Sequence, residues 1–396
     1  MMKASVDAKT LGKMFESFAF TKNSPLPLPL QFTIASGFIK IEGENGAIRL
    51  SRKVDVIGSG DSESETFGMA PGVIPQTLKS LQGNVDVMIS GDKFVVIQGT
   101  RKYSVTGTHE VEPMAFGKAK GIKVAGSTLF RGIGKTIDFV SSDSSRPALV
   151  GVLVQSTETG LSFAGTSGHL LSKYDVILKD PVKKFKAVIP ADSLDLLLSL
   201  PMGETYTIYQ YEGLIGFRSD DMALESAIIE DEFPNIKPIV IDMIADNANE
   251  VVMAKSKLRD LIKICTLYSP SQRTSMRFGV TPDKIEARAE DVDFGAYCRQ
   301  WINEPNEGLA IKLLLNVDGK LLSTLLNVIE TDTVLLKFGD TSAGKPIVML
   351  PTQKIEGEEL LTLAMPLRID DYGREYANWF DEEWQPDSKK EVAEAA

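Results

Sequence analysis

The string Gly134-Lys135-Thr136 has the ending of a phosphate-binding loop, in which backbone N–H groups cradle phosphates and a lysine reaches them. Such a loop needs a glycine five residues before Gly134, and Leu129 stands there, so the cradle is absent. The two cysteines, Cys265 and Cys298, and the two histidines, His109 and His169, do not form a recognisable zinc spacing. Gly165 to Gly168 lacks the nucleophile-elbow pattern of a hydrolase. These residues propose no reaction, no metal and no cofactor, so the chain is expected not to be an enzyme. What does recur is a pair of cations four residues apart: Lys9 and Lys13, Arg131 and Lys135, Arg259 and Lys263. Four residues along a helix put both cations on one face, an arrangement suited to loose, sequence-independent contact with phosphate.

Each pair sits in a stretch that reads as an amphipathic helix leading into apolar strands, and the pairs begin 122 and then 128 residues apart. A second helix is expected in each third, over Pro75 to Leu81, Ala191 to Leu200 and Val317 to Ile329, from leucines at mixed three and four spacing. Hairpins follow each: alternating apolar residues are broken by turn signals at Gly91-Asp92, Gly99-Thr100, Glu212-Gly213, Ser219-Asp220 and near Gly339-Asp340. The pattern predicts α+β units with antiparallel strands backing two helices. Expected boundaries are 1–120, 121–247 and 248–369, with a remainder over 370–396.

Bulk properties agree. A chain of 396 residues with 43% hydrophobic and 24% charged residues has the length for about three domains and the balance of a folding chain. No apolar run approaches a membrane span and no signal peptide is evident, so a cytoplasmic protein without a membrane partner is expected, in keeping with its two cysteines. A net charge of -11 argues against coating DNA by broad electrostatics. It leaves room for a protein retained on DNA by topology, whose inner wall alone must not repel phosphate.

The segment Leu129 to Val176 resembles the central domain of the bacterial DNA polymerase III beta subunit (beta sliding clamp) family, through Ser-Ser-Arg146, the strand Leu149 to Val154 and Ala164-Gly165-Thr166-Ser167-Gly168-His169. Phe233-Pro234 is similar to the family's Phe-Pro turn, and Met365-Pro366-Leu367-Arg368 to its C-terminal signature. The resemblance spans about residues 1 to 369 and is weakest in the first third. It implies three tandem clamp-type domains per chain and two chains closing head to tail into a ring around duplex DNA. The implied partners are double-stranded DNA without sequence preference, a replicative DNA polymerase, an ATP-dependent clamp loader, other clamp-motif proteins and a second copy of the chain.

The resemblance also implies sites. A partner-peptide pocket is expected from Leu149, Thr166, Gly168, His169, Leu171, Pro234, Ile239, Leu363, Met365, Pro366, Leu367 and Arg368. Leu170 stands where the family commonly has a basic residue, so one polar contact to the peptide is expected to be missing. Tyr103, Leu267 and Tyr268 are the matched dimer-interface positions. The three cation pairs, with Lys79 and Lys320 on the second helices and Lys22 in a loop, are the DNA-facing candidates. The tail from Asp370 holds nine acidic and three basic residues and is expected to be solvated and mobile, although Tyr376, Trp379, Phe380 and Trp384 suit docking on the clamp or on a partner. Two other readings stand beside the clamp: a peptide-binding scaffold of clamp type that does not encircle DNA, and an unrecognised enzyme.

Overall fold

The structure, a computed structural model, describes residues 2–23, 29–35, 37–59, 64–70, 72–117, 120–179, 184–240, 249–272, 274–281, 284–303, 313–339 and 345–367. The expected tail 370–396, Arg368, the Lys22 side chain and most of the expected boundary near 245–250 lie outside the described residues.

Strand β1 (Lys3–Asp7) ends in an aspartate whose carboxylate accepts the Thr10 N–H at 2.9 Å, capping helix α1 (Ala8–Glu16). Helix α1 buries Leu11, Met14 and Phe15 and leaves Lys9 and Lys13 in water. There follow β2 (Leu30–Ala35), β3 (Phe38–Glu44), β4 (Ile48–Asp55), the short β5 (Ile57–Ser59), β6 (Glu65–Met69), α2 (Ile74–Ser80), β7 (Asn84–Ser90), β8 (Lys93–Gln98) and β9 (Arg101–Thr106). The second third runs β10 (Ile122–Ala125), α3 (Gly126–Thr136), β11 (Gly151–Ser156), β12 (Gly160–Thr166), β13 (Leu170–Ile177), β14 (Lys186–Pro190), α4 (Ala191–Ser199), β15 (Thr205–Tyr211), β16 (Leu214–Arg218) and β17 (Met222–Ala227). The last runs β18 (Asn249–Ala254), α5 (Lys255–Leu267), β19 (Ser275–Val280), β20 (Lys284–Asp291), β21 (Ala296–Asn303), β22 (Leu313–Asp318), α6 (Gly319–Val328), β23 (Thr333–Phe338), β24 (Ile347–Pro351) and β25 (Glu358–Ala364). With β5 set aside, each third is a strand, a helix and three strands, taken twice; the repeat is finer than the threefold one read from sequence. The second helices lie within two residues of their expected bounds.

The chain forms two compact units, one built from residues up to Asn235 with Lys354–Leu361, the other from Ile236–Gln353 and the chain from Thr362. In the first unit the order β5-β1-β7-β8-β9 makes one antiparallel sheet, and β10-β15-β16-β17-β4-β3-β2-β6 makes another. The second of these crosses the expected boundary near residue 120: β17 of the second third pairs with β4 of the first, from Met222 opposite Arg52 to Ser226 opposite Ile48. That shared sheet is why the first two thirds are one unit. Its joint is locked by Glu225, whose side chain is fully buried and accepts from Tyr209 Oη at 2.8 Å, Tyr211 Oη at 2.9 Å and the Gly117 N–H at 2.7 Å. A buried carboxylate with three donors is satisfied, and here it ties the linker to the sheet.

The hairpin Tyr211-Glu212-Gly213-Leu214 turns on two left-handed residues, Glu212 at φ 44° and Gly213 at φ 77°, as a two-residue loop between twisted strands demands. Helix α3 lies close on its sheet because Gly132 faces the Phe163 ring; a Cβ there would come within 2.5 Å of it. In the second unit β21-β20-β19-β22 form a separate sheet, and β18, β23 and β24 pair in order with the end of β25. No helix among the described residues is long and apolar enough to cross a membrane.

Candidate functional site

The expected peptide pocket draws residues from both units, each taken here by itself. In the first unit, Thr166 ends β12 and Leu171 is the second residue of β13, directly opposite it. Thr166 Oγ1 donates to the Leu170 carbonyl at 2.6 Å and accepts the Gly168 N–H at 3.1 Å, while Gly168 adopts φ 88°. This self-bonded turn presents Gly168 and His169 to solvent, so His169 is not a buried structural histidine. The ladder Val188–Leu153–Ala164–Lys173 runs on the same sheet face as Thr166 and Leu171, opposite the Phe163 side packed by α3. Leu149, Leu153, Leu171 and Phe233 are buried apolar residues outside the unit's main core cluster. Pro234 is exposed; its neighbour Phe233 is the buried member of the pair. Leu170, expected to deprive a peptide of a polar contact, is buried.

In the second unit, Leu363 lies buried on β25 opposite Val348. Met365, Pro366 and Leu367 are half-buried, and the Leu367 N–H donates to the Asn316 carbonyl at 2.7 Å, holding the segment beside β22. Ile239 is half-buried in the helical turn 237–240.

Among the cations, Lys9 and Lys13 on α1, Arg259 and Lys263 on α5, and Lys320 on α6 are exposed. Lys79 on α2 is exposed and ion-paired to Glu16 at 2.6 Å. The α3 pair is a correction. Lys135 is only 7% exposed, and Arg131 is half-buried with its Nε 2.9 Å from Glu358. The cause lies in helix phase: counted from the first helical residue, the pairs fall at second and sixth on α1, sixth and tenth on α3, and fifth and ninth on α5. The tenth position of α3 turns toward β13, whose Ser172 Oγ donates to the Lys135 carbonyl at 2.7 Å. Equal spacing in sequence did not mean equal facing. Helix α4 carries no cation and exposes Asp192 and Asp195; burial, then Asp192 and Asp138, push the Asp195 carboxyl up from its ordinary value.

Two sheet edges matter for assembly. Among the described residues, β9 and β21 each bond a strand on one side only. Tyr103 is half-buried on β9. Leu267 and Tyr268, at the end of α5, expose 75% and 40% of their surface, so neither fills the core. The sequence reading missed their companions Val292, Phe294, Tyr297 and Trp301 around β21, all exposed. The alternation Tyr297, Arg299, Trp301 on a strand was the available signal. Beneath it Glu286, nearly buried, accepts from Arg288 Nε and Arg299 Nε at 2.6 Å and from Lys284 Nζ at 2.9 Å. Burial alone would raise its carboxyl pKa, but the three cations more than offset this and hold it down at about 2. Behind the strand Cys265 and Cys298 meet at 3.8 Å, and burial followed by the neighbouring thiol pushes Cys265 well above the usual thiol range. Among the described residues no group of three or more metal-ligating side chains assembles.

Residues 123–235 match the family model described as DNA polymerase III beta subunit, central domain. The beta sliding clamp of Synechococcus elongatus is 24% identical over 262 residues, 63% of this chain and 66% of that protein. The Chlamydia muridarum clamp is 23% identical over 158 residues, 39% of this chain and 42% of that protein. The matched stretches thus cover about two thirds of these curated relatives or less. The crystal structure of the beta subunit from the DNA polymerase of Streptococcus pyogenes has a TM-score of 0.81 at 17% identity, covering 92% of this chain and all of that one. A Pseudomonas aeruginosa sliding clamp bound to griselimycin has a TM-score of 0.80 at 17% identity, covering 93% and 99%.

Proposed function

Because this chain resembles the DNA polymerase III beta subunit family in sequence and has the fold of its solved sliding clamps, we propose that it is itself a DNA sliding clamp, a processivity factor that encircles duplex DNA and tethers the replicative polymerase. Three clamp-type modules per chain, bounded near residues 120 and 247, double to six in a head-to-tail homodimer. The observation that carries this is the rule by which sheets join. In the β17–β4 pair, the third strand of one half-module bonds antiparallel to the third strand of a half-module in the preceding module. Strands β9 and β21 occupy the same third-strand places and each has one edge unpaired among the described residues. Pairing β21 of one copy with β9 of a second extends that rule, closes the ring and removes both edges, which would otherwise invite aggregation. Exposed Leu267 and Tyr268 supply apolar surface for such a contact, with Tyr103 on β9.

Lys9, Lys13, Lys79, Arg259, Lys263 and Lys320 give the clamp loose phosphate contacts; Lys135 and Arg131 are set aside on the grounds above. Partner peptides use the apolar residues around Leu171 and Leu363, with Met365 as the adaptable member. The clamp catalyses nothing; a cytoplasmic loader hydrolyses ATP to open it. Retention on nicked circular DNA after loading, lost when the circle is linearised, is the expected result. Equal retention on both forms would replace this reading with that of a scaffold that does not encircle DNA.

A further inference from the structure

Cys265 and Cys298 are the chain's only cysteines, and the fold brings them together although 33 residues separate them in sequence. Cys265 lies on the buried face of α5 with Leu258, Leu261 and Ile262. Cys298 lies on β21 opposite Ala289 of β20, on the sheet face that carries buried Ile285, Ala287 and Ala289. Both are free thiols, and their sulfurs are 3.8 Å apart, side by side in an apolar layer. A buried thiol on a central strand is inert, because only the thiolate reacts and nothing reaches it. Cys298 is placed differently. Among the described residues β21 bonds only β20, so its second ladder edge is open. A strand held on one side opens at a fraction of the free energy of global unfolding, and when β21 opens it carries Cys298 away from α5 into water.

We propose that Cys265 and Cys298 are a redox-active dithiol, reduced at rest, that closes into a disulfide by exchange with a small disulfide of the glutathione class and staples the edge strand β21 to α5. Cys298, exposed by the opening strand, attacks first as its thiolate. Its sulfur bonds to one oxidant sulfur, and the other leaves as a thiolate that takes up the proton Cys298 gave. As the strand closes, Cys265 attacks the Cys298 sulfur; the bond within the chain forms, and the second half of the oxidant leaves with the Cys265 proton. Two protein thiols are oxidised and one oxidant disulfide is reduced to two thiols. Burial keeps the Cys265 thiol protonated while β21 is in place, in keeping with entry through Cys298. The geometric demand is modest: sulfurs at 3.8 Å must approach to a bond of ~2.0 Å, at a strand free to shift on one side. Coverage of that edge controls the reaction. In the ring proposed above, on which this step rests, β9 of a second copy pairs with β21, and several added ladder bonds slow its opening by about tenfold or more. The assembled ring therefore keeps its thiols reduced, and the free chain is the form that is oxidised.

The test incubates the full chain with excess oxidised glutathione at neutral pH, quenches by acid and alkylation, and reads intact mass and mapped peptides. We expect the loss of two hydrogens, no retained glutathione and a single Cys265 to Cys298 cross-link that dithiothreitol reverses. In C265A the reaction should stop at glutathione bound to Cys298, and in C298A Cys265 should stay reduced. The oxidised natural chain should have an unfolding equilibrium constant roughly several hundred-fold below that of the reduced chain, as closure of a loop of 33 residues implies. Thiols that stay reduced until urea unfolds the chain overturn the proposal, as does a natural chain that ends with glutathione on either cysteine. Dilution separates this reading from that of the ring. At concentrations where sedimentation shows a dimer, oxidation should be about tenfold or more slower than in the dilute single chain. Equal rates in dimer and single chain overturn the control by edge coverage. A chain that is monomeric throughout and still forms the cross-link refutes the ring and leaves the dithiol assigned.

Discussion

Replacing Leu267 and Tyr268 together by alanine removes the apolar surface that α5 offers beside the proposed contact of β21 with β9. Full burial of a leucine side chain is worth ~2 kcal/mol and of a tyrosine ~2.5 kcal/mol. The fractions now exposed, 75% and 40%, therefore represent ~1.5 and ~1 kcal/mol of gain on assembly. A twofold ring has two such interfaces, so the double variant loses about 5 kcal/mol of ring stability, which at 1.4 kcal/mol per factor of ten raises the dissociation constant several thousand-fold. Both residues lie on the surface of the single chain, so its own melting should move by less than about 0.5 kcal/mol. Sedimentation velocity over a dilution series from micromolar to nanomolar reads the change: a dimer for the natural chain and a monomer for the variant. A variant that stays dimeric as far down the series as the natural chain would refute the placement of the interface, and a natural chain that is monomeric at micromolar concentration would refute the ring.

Other expectations follow from single features. The Glu286 carboxyl, held at about 2 against an ordinary 4.5, contributes stability that is fully present above the unfolded value and is lost as pH falls through that window. Allowing for solvent screening of its partly exposed cations, Glu286→Gln should cost about 2 kcal/mol at pH 7 and clearly less at pH 3 in denaturant titrations. Gly132→Ala drives a methyl into the Phe163 ring and should destabilise by ~1–3 kcal/mol, whereas Gly134→Ala, with nothing within 4 Å of the new carbon, should stabilise α3 by ~0.5–1 kcal/mol; thermal melts compare them. Exchanging Lys9, Lys13, Arg259 and Lys263 for glutamate should flatten the dependence of DNA affinity on salt by ~0.9 in log–log slope per lost phosphate contact. Lys135→Gln, buried against β13, should leave that slope unchanged.

Much of the local structure was legible in advance because its causes are local. Leucines at helical spacing marked α2, α4 and α6, and Glu212-Gly213 marked its hairpin through a backbone need that neighbours cannot change. The halving of each third into two strand-helix-three-strand copies escaped the reading: Leu30-Gln31-Phe32-Thr33-Ile34 alternates apolar and polar residues and marks β2 as a strand, but how strands and helices group into equivalent halves depends on pairing between distant residues. The cation pairs were found by spacing, and spacing is silent about phase: the same four-residue interval stands in water on α1 and α5 and lies against the sheet on α3.

Which segments become helices and hairpins, the lack of any familiar catalytic or metal-binding motif, and the family resemblance could all be read from the chain's residues, because each depends on residues close along the chain or on motif order. Tertiary contacts set the rest: β17 and β4 fuse two thirds into one unit, β9 and β21 each keep one edge unpaired among the described residues, and Arg277, Arg288 and Arg299 form one row. Those facts rest on cross-strand register between distant residues, and a shift of one residue would turn every side chain to the opposite face.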